Sequence, residues 1–173
     1  MSRTYEVGDG PGARVLADDG YAFVTDAPTT PDDFDHQAHL NNAAVVRILN
    51  DLRIAFVRQC LGSRWTDYLQ RESIVVVVRE LHVLYESEGR PDERYVGSVR
   101  IGRRTGKAGI IEQRIVEAET ARAVARSWVV QLIARDGRAV DFPDWYWPLV
   151  AEIQGRPVPE VAAAERSPWG PPS

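Results

Sequence analysis

The sequence predicts an α+β fold in which a curved antiparallel sheet wraps one long central helix. Three observations carry that expectation. From about Asn42 to Cys60, Val45, Ile48, Leu49, Leu52, Ala55 and Phe56 recur at three- and four-residue spacing, so they share one face of a helix. Val46, Ile54 and Val57 extend the apolar character, and Arg47, Asp51 and Arg58 leave only a narrow polar stripe. Such a helix is expected to be buried on most of its circumference. Four or more β-rich segments follow it, and a single sheet covers a helix on several sides only by curling round it.

The elements follow in order. Residues 1–19 are rich in Gly and Asp, and Gly8-Asp9-Gly10-Pro11-Gly12 reads as a breaker cluster. This stretch is expected to be an arm, either loose or with a short strand at Arg14–Leu16. Tyr21–Thr25 is the first strand, stopped by Thr29-Thr30-Pro31. The long helix ends near Gly62, and Trp65–Arg71 is a short helical or irregular connection. Ser73–Tyr85 is the strongest strand, β-branched from Ile74 to Val78 and alternating afterwards. Gly89-Arg90-Pro91-Asp92 is a turn. Arg94–Arg103, Ala108–Glu119 and Ala123–Ala134 are strands, with a tight turn at Thr105-Gly106-Lys107. Asp136-Gly137 offers a hairpin to Ala139–Phe142, Pro143 ends the sheet pattern, and Trp145–Ile153 is helical. The domain is expected to span 20–155. The Pro- and Ala-rich tail at 156–173 is expected to be disordered or draped on a partner.

Composition narrows the function classes. A chain of 173 residues with 44% apolar content builds one domain with a real core. A net charge of −4 speaks against general affinity for nucleic acid. Cys60, the single cysteine, sits inside the helical pattern and reads as a small buried hydrophobe. Met1–Glu6 lacks a basic region followed by an apolar core, and no apolar run reaches membrane-spanning length. A cytoplasmic protein with no membrane partner is expected.

The chemistry concentrates in Asp33-Phe34-Asp35-His36-Gln37-Ala38-His39-Leu40-Asn41-Asn42, immediately before the helix. Asn41 or Asn42 suits the N-cap, since its side-chain oxygen can accept a first-turn N–H. Polar groups therefore gather at the positive end of a buried helix, a place that favours a negative charge or a polarised carbonyl. The plain alternative is that Asp35 and Asn41 only cap and hydrogen-bond a tight loop. Read as metal ligands, Asp33, Asp35, His36 and His39 fall short. A closed site needs about four convergent ligands, and these share one short loop with no second cluster. No metal and no organic cofactor is expected. His82, isolated on a strand, reads as a paired or exposed histidine.

With Ala43, the same stretch resembles the D-x-D-x-x-G-H-V-N-N-A signature of 4-hydroxybenzoyl-CoA thioesterase-like and acyl-ACP thioesterase-like proteins of the hotdog fold. Asn50-Asp51-Leu52-Arg53, Leu81–Tyr85 and Arg100–Thr105 resemble that family's helix, next strand and third strand. The likeness runs from about Tyr21 to Ile153. Ala38 replaces the family glycine, and Gln37 stands where plant acyl-ACP thioesterases have asparagine.

The resemblance implies a thioesterase acting on acyl-CoA or an acyl carrier protein, paired at least as a homodimer. A free edge strand and an open helix flank argue for pairing independently. Asp35 is then the nucleophile or general base, and His39 and Gln37 orient it or the attacking water. N–H groups near Asn41–Ala43, including those of Asn41 and Asn42, polarise the substrate carbonyl. Glu88 falls at the second catalytic carboxylate; its own residue-level reading is a solvated strand-end glutamate. Asp51 competes for that role, or pairs with Arg47 at i,i+4. Arg103, Arg104 and Lys107 cluster at a turn that suits substrate phosphate, or that is simply an exposed hairpin tip. The main alternative function is a hotdog protein that binds acyl-CoA or another apolar ligand without turnover. A dehydratase would carry a different His-plus-acid signature, which is absent from this sequence.

Overall fold

The computed structural model describes residues 10–162. Its elements are α1 (Pro11–Asp18), β1 (Phe23–Asp26), a 3-10 turn (Pro31–Asp33), α2 (Asn42–Phe56), α3 (Gly62–Arg71), β2 (Val75–Tyr85), β3 (Tyr95–Thr105), β4 (Ala108–Glu117), β5 (Ala123–Arg135), β6 (Arg138–Val140) and α4 (Tyr146–Gln154). Strand order is β1-β3-β4-β5-β2, antiparallel throughout, with the short β6 also pairing β5. Register shifts at Val78/Glu80, Ile101/Arg103 and Ile115/Val116 mark bulges, which bend and twist strands. The result is the expected hotdog arrangement, a curved sheet around a long central helix.

The inner face of the sheet holds α2. Ile48, Leu49, Leu52 and Phe56 pack with Val99, Ile101, Ile111, Ile115, Val129 and Ile133 in one core. Full burial of each such side chain contributes about 1.5–3 kcal/mol before entropy is subtracted. The helix seats closely on β3 because Gly97 has no side chain: a Cβ there would stand 2.3 Å from Leu52 Cδ1. One polar group sits beneath it. Gln113 donates to the Leu49 carbonyl at 2.5 Å and accepts from Ser127 Oγ at 3.3 Å, so the buried amide is satisfied. Beyond Phe56 the helix continues as a π-turn, Val57–Leu61, which carries the chain into α3. Cys60 is buried there, as its place in the pattern predicted. Trp65, Phe142 and Tyr146 close the far end of the core.

Three expectations change. The apolar character round α2 predicts burial on most sides, yet one face alone packs on the sheet. Ile54 is 40% exposed and Val46 and Val57 are half-buried, because no described element covers that flank. Residues 11–18 form a helix, neither a strand nor a loose arm. Pro11 occupies its first turn, where a missing N–H costs nothing. Gly12 lets it approach Glu117 closely, and Ala13 and Leu16 pack on Val24, Val96 and Val116 across the outer sheet face. Finally, the start of the tail lies on its own chain. Val158 is buried, Arg104 N donates to Pro159 O, and Val161 N donates to Arg104 O, extending β3 beyond the reach of β1. The rest of the tail, 163–173, lies outside the described residues.

Candidate active site

The decapeptide folds as a strapped loop in front of α2. Asp33 is buried and accepts from Thr30 N at 2.7 Å and from Arg47 Nη2 at 2.7 Å, while its carbonyl accepts from Asn41 N. Burial works against its charge, but these donors prevail and hold the carboxyl below its usual range. Phe34 and Leu40 pair across the loop. Between them Asp35 Oδ1 accepts from the N–H groups of His39 at 3.0 Å and Gln37 at 2.8 Å. The His39 N–H above all keeps the Asp35 carboxyl below the ordinary value, so it is a carboxylate at neutral pH. Among the described residues Oδ2 accepts no hydrogen bond.

Ala38 closes this loop at φ 58, in the left-handed region that favours glycine. That conformation is the physical content of the glycine in the resembled signature, and here an alanine carries it.

Asn41 is the N-cap of α2, and its Oδ1 accepts from Ala44 N at 2.8 Å. Its own side chain is thereby spent on the helix. The N–H groups of Asn42 and Ala43 have no partner among the described residues, and both residues line the cavity in front of the helix. They are the orphan donors that every helix N-terminus presents.

The opposite wall is the segment after β2. Glu88 Oε2 stands 3.2 Å from His39 Nε2. Gly89 accepts from Leu40 N at 2.8 Å, tying this segment to the loop. A Cβ on Gly89 would stand 2.8 Å from Tyr95 Oη and 3.0 Å from Leu40 Cβ, so only glycine allows that approach. The cavity between the walls measures about 610 Å³, within the size range of small-molecule sites. Its apolar side is built by Leu40, Val45, Tyr85 and Val124.

The sequence-predicted residues divide clearly. Asp35, His39, Asn41, Asn42 and Glu88 come together around this cavity. Gln37 contributes its main-chain N–H to Asp35, but its side chain is exposed and does not line the cavity. Asp51 accepts from Arg47 at 2.8 Å and lies further along α2, beside a different hollow. Arg103, Arg104 and Lys107 are not at the mouth within this chain. They occupy the far end of β3 and its turn; Arg103 and Arg104 lie about 26–30 Å along the strand from Tyr95 at the site end. Arg104 pairs with Glu160 and lies over Trp147, and Lys107 pairs with Asp141. His82 is stacked on Trp128, with ring centroids 3.8 Å apart. Sequence reading missed Tyr85, Ser87, Gly89 and Val124 as lining residues. The nearest signal was the turn beginning at Gly89, one residue after Glu88. No group of three or more His, Cys, Asp or Glu suited to a metal occurs among the described residues. No helix among them is long and apolar enough to cross a membrane.

Comparison with known proteins bears on the fold and the family. No curated protein matches the chain. Among solved structures, a thioesterase from Thermus thermophilus complexed with coenzyme A and Zn is 19% identical, with TM-score 0.66 over 80% of this chain and 98% of that one. A Staphylococcus aureus protein in complex with CoA is 17% identical, with TM-score 0.67 over 83% and 90%. The Synechocystis 1,4-dihydroxy-2-naphthoyl-CoA thioesterase is 11% identical, with TM-score 0.64 over 76% and 94%. At these identities the likeness shows the fold. The family is shown by a sequence model, the thioesterase-like superfamily, which matches residues 29–156. The chain thus belongs to the thioesterase-like superfamily, whose class of activity is thioester hydrolysis.

Proposed function

We propose that this protein hydrolyses an acyl thioester of coenzyme A or of an acyl carrier protein, with Asp35 as the catalytic carboxylate. The observation that carries the reading is one cavity with a free carboxylate oxygen on Asp35 and two open N–H groups at the N-terminus of α2. A thioester carbonyl set between them is polarised by Asn42 N–H and Ala43 N–H, where negative charge develops on its oxygen. Asp35 Oδ2 either takes a proton from the attacking water or attacks the carbonyl carbon itself. The tetrahedral intermediate collapses as the C–S bond breaks, and the thiolate leaves and takes up a proton to become the free thiol. Where Asp35 itself attacked, water then cleaves the acyl–Asp35 anhydride to release the acid and restore the carboxylate. His39, with Glu88 beside it, orients the water. The CoA held by the Thermus and Staphylococcus structures supports CoA as the carrier.

The site is completed by pairing with a second copy. β2 is an edge strand whose Val75, Val76, Val78, Leu81, Leu84 and Tyr85 are exposed, and Tyr85 belongs to the cavity wall. A water-exposed apolar row on a free edge is a strand-pairing template. The reaction needs no metal, because carboxylate chemistry on a thioester requires no Lewis acid.

The test is a thiol-release assay across acyl-CoA chain lengths, with and without a chelator. Thiol release that survives chelation is expected. Tight acyl-CoA binding without release would favour the non-catalytic ligand-binding reading, and activity restored only by a divalent ion would reinstate a metal.

A further inference from the structure

The geometry points to Arg122 as a positioning residue for Glu88, and through Glu88 for His39; the inference rests on the hydrolytic reading above. Arg122 does not line the cavity. It stands behind the wall, in the turn between β4 and β5. Glu117 braces that turn, accepting from Thr120 N at 2.6 Å and Glu119 N at 3.0 Å. From this base the guanidinium grips the wall at three points. Its Nη1 donates to Ser87 Oγ at 2.5 Å and to the Glu88 carbonyl, and its Nη2 donates to Glu93 Oε1 at 2.5 Å.

Two of the three grips are themselves anchored. Ser87 Oγ donates to Ala123 O, and the N–H groups of Glu86 and Ser87 donate to Val124 O. Glu93 also accepts from Tyr95 Oη at 2.8 Å and Arg90 N at 2.9 Å. Burial opposes the Glu93 charge, yet Arg122, Tyr95 and Arg90 together hold its carboxyl below the usual range. The segment is therefore fixed on both sides of Glu88. The Glu88 side chain has no such frame: it is 60% exposed, and its carboxylate meets His39 Nε2 at 3.2 Å and Arg90 Nη2 at 3.8 Å. An exposed side chain keeps one contact only if its backbone is held still, since rotamer freedom otherwise favours release. A planar guanidinium presents its donors in a rigid fork, which holds these three acceptors in one fixed geometry.

An ordinary structural clip would alter stability alone, so the test separates the two roles. Arg122→Gln is expected to lower kcat on acyl-CoA by about 10–100-fold, the scale of a small misplacement of a reacting group, with KM within a few-fold. In a Glu88→Gln background the same change is expected to add little, because the two act through one contact. Losses that multiply would overturn the inference, as would an active Glu88→Gln variant at the wild-type rate; neither result would touch the Asp35 reading. If Arg122→Gln fails to fold, Glu93→Gln loosens Arg122 from its far side and is expected to act in the same direction, less strongly. A readout independent of turnover decides the case even for a chain that hydrolyses nothing. Glu88→Gln moves the NMR signals of the His39 ring, and folded Arg122→Gln must move them the same way. Ring signals that stay at their wild-type positions would overturn the inference.

Discussion

At the scale of single residues, Ala38 shows most plainly how a local conformation reaches the chemistry. Its φ of 58 lets the chain turn so that the His39 and Gln37 N–H groups both point at Asp35 Oδ1. A left-handed alanine costs roughly 1–2 kcal/mol, and glycine gives back about 0.5–1 kcal/mol of that in lost chain entropy. Ala38→Gly is therefore expected to stabilise the fold by up to about 1 kcal/mol, raising Tm by roughly 2–4 °C. Thermal melts check this, and a lower Tm would mean the loop is not strained as drawn. The sequence made Asp35, His39 and Asn41 legible because all three lie within seven positions of one loop. It did not reveal that the Gln37 side chain points away, since spacing along a loop does not tell main-chain use from side-chain use. Arg122 was invisible for the opposite reason: its partners Ser87, Glu88 and Glu93 lie about thirty residues away, across a sheet register.

Among the elements, α2 does two jobs, one at its N-terminus and one on its packed face. Its apolar spacing at Ile48, Leu49, Leu52 and Phe56 seats it on the sheet, and its N-terminus presents the open amides of Asn42 and Ala43. The Asn41 cap defines where that N-terminus begins. Asn41→Ala is expected to cost about 1 kcal/mol in denaturant unfolding. It should also lower turnover, because the first turn that holds the two amides frays; unchanged activity would remove those amides from the mechanism. The periodicities of α2 and of the long strands were strong enough to be read within a few residues. Helix α1 was misread because Gly10-Pro11-Gly12 is both a breaker cluster and a helix start with room to pack against Glu117. The basic turn at Arg103, Arg104 and Lys107 was placed by chemistry alone. Strand length then carries it to the end of β3 opposite the cavity within this chain.

For the whole molecule, the exposed flank of α2 and the apolar row of β2 belong to one account. Helix α2 reads as buried nearly all round, yet it is covered on one face and leaves an apolar flank exposed. On the reading proposed above, two copies pair along β2. Light scattering at micromolar concentration is expected to report a dimer, and Leu81→Lys on the free edge should shift it to monomer with lower activity. A wild-type monomer that turns over thioester would contradict that pairing. The apolar residues themselves were legible in the sequence, but not that β2 is an edge strand, since strand order emerges only when β5 takes β2 as its neighbour. The central claim is that the Asp35 carboxylate performs the hydrolysis, and Asp35→Asn tests it most directly. Asparagine keeps an oxygen for the His39 and Gln37 N–H groups but loses charge and basicity. Thiol release from acyl-CoA should fall by roughly 10²–10⁴-fold, the range typical of losing such a group, with acyl-CoA binding and Tm little changed. Hydrolysis at the wild-type rate would contradict the claim, and an unfolded variant would mean that Asp35 serves only to hold its loop.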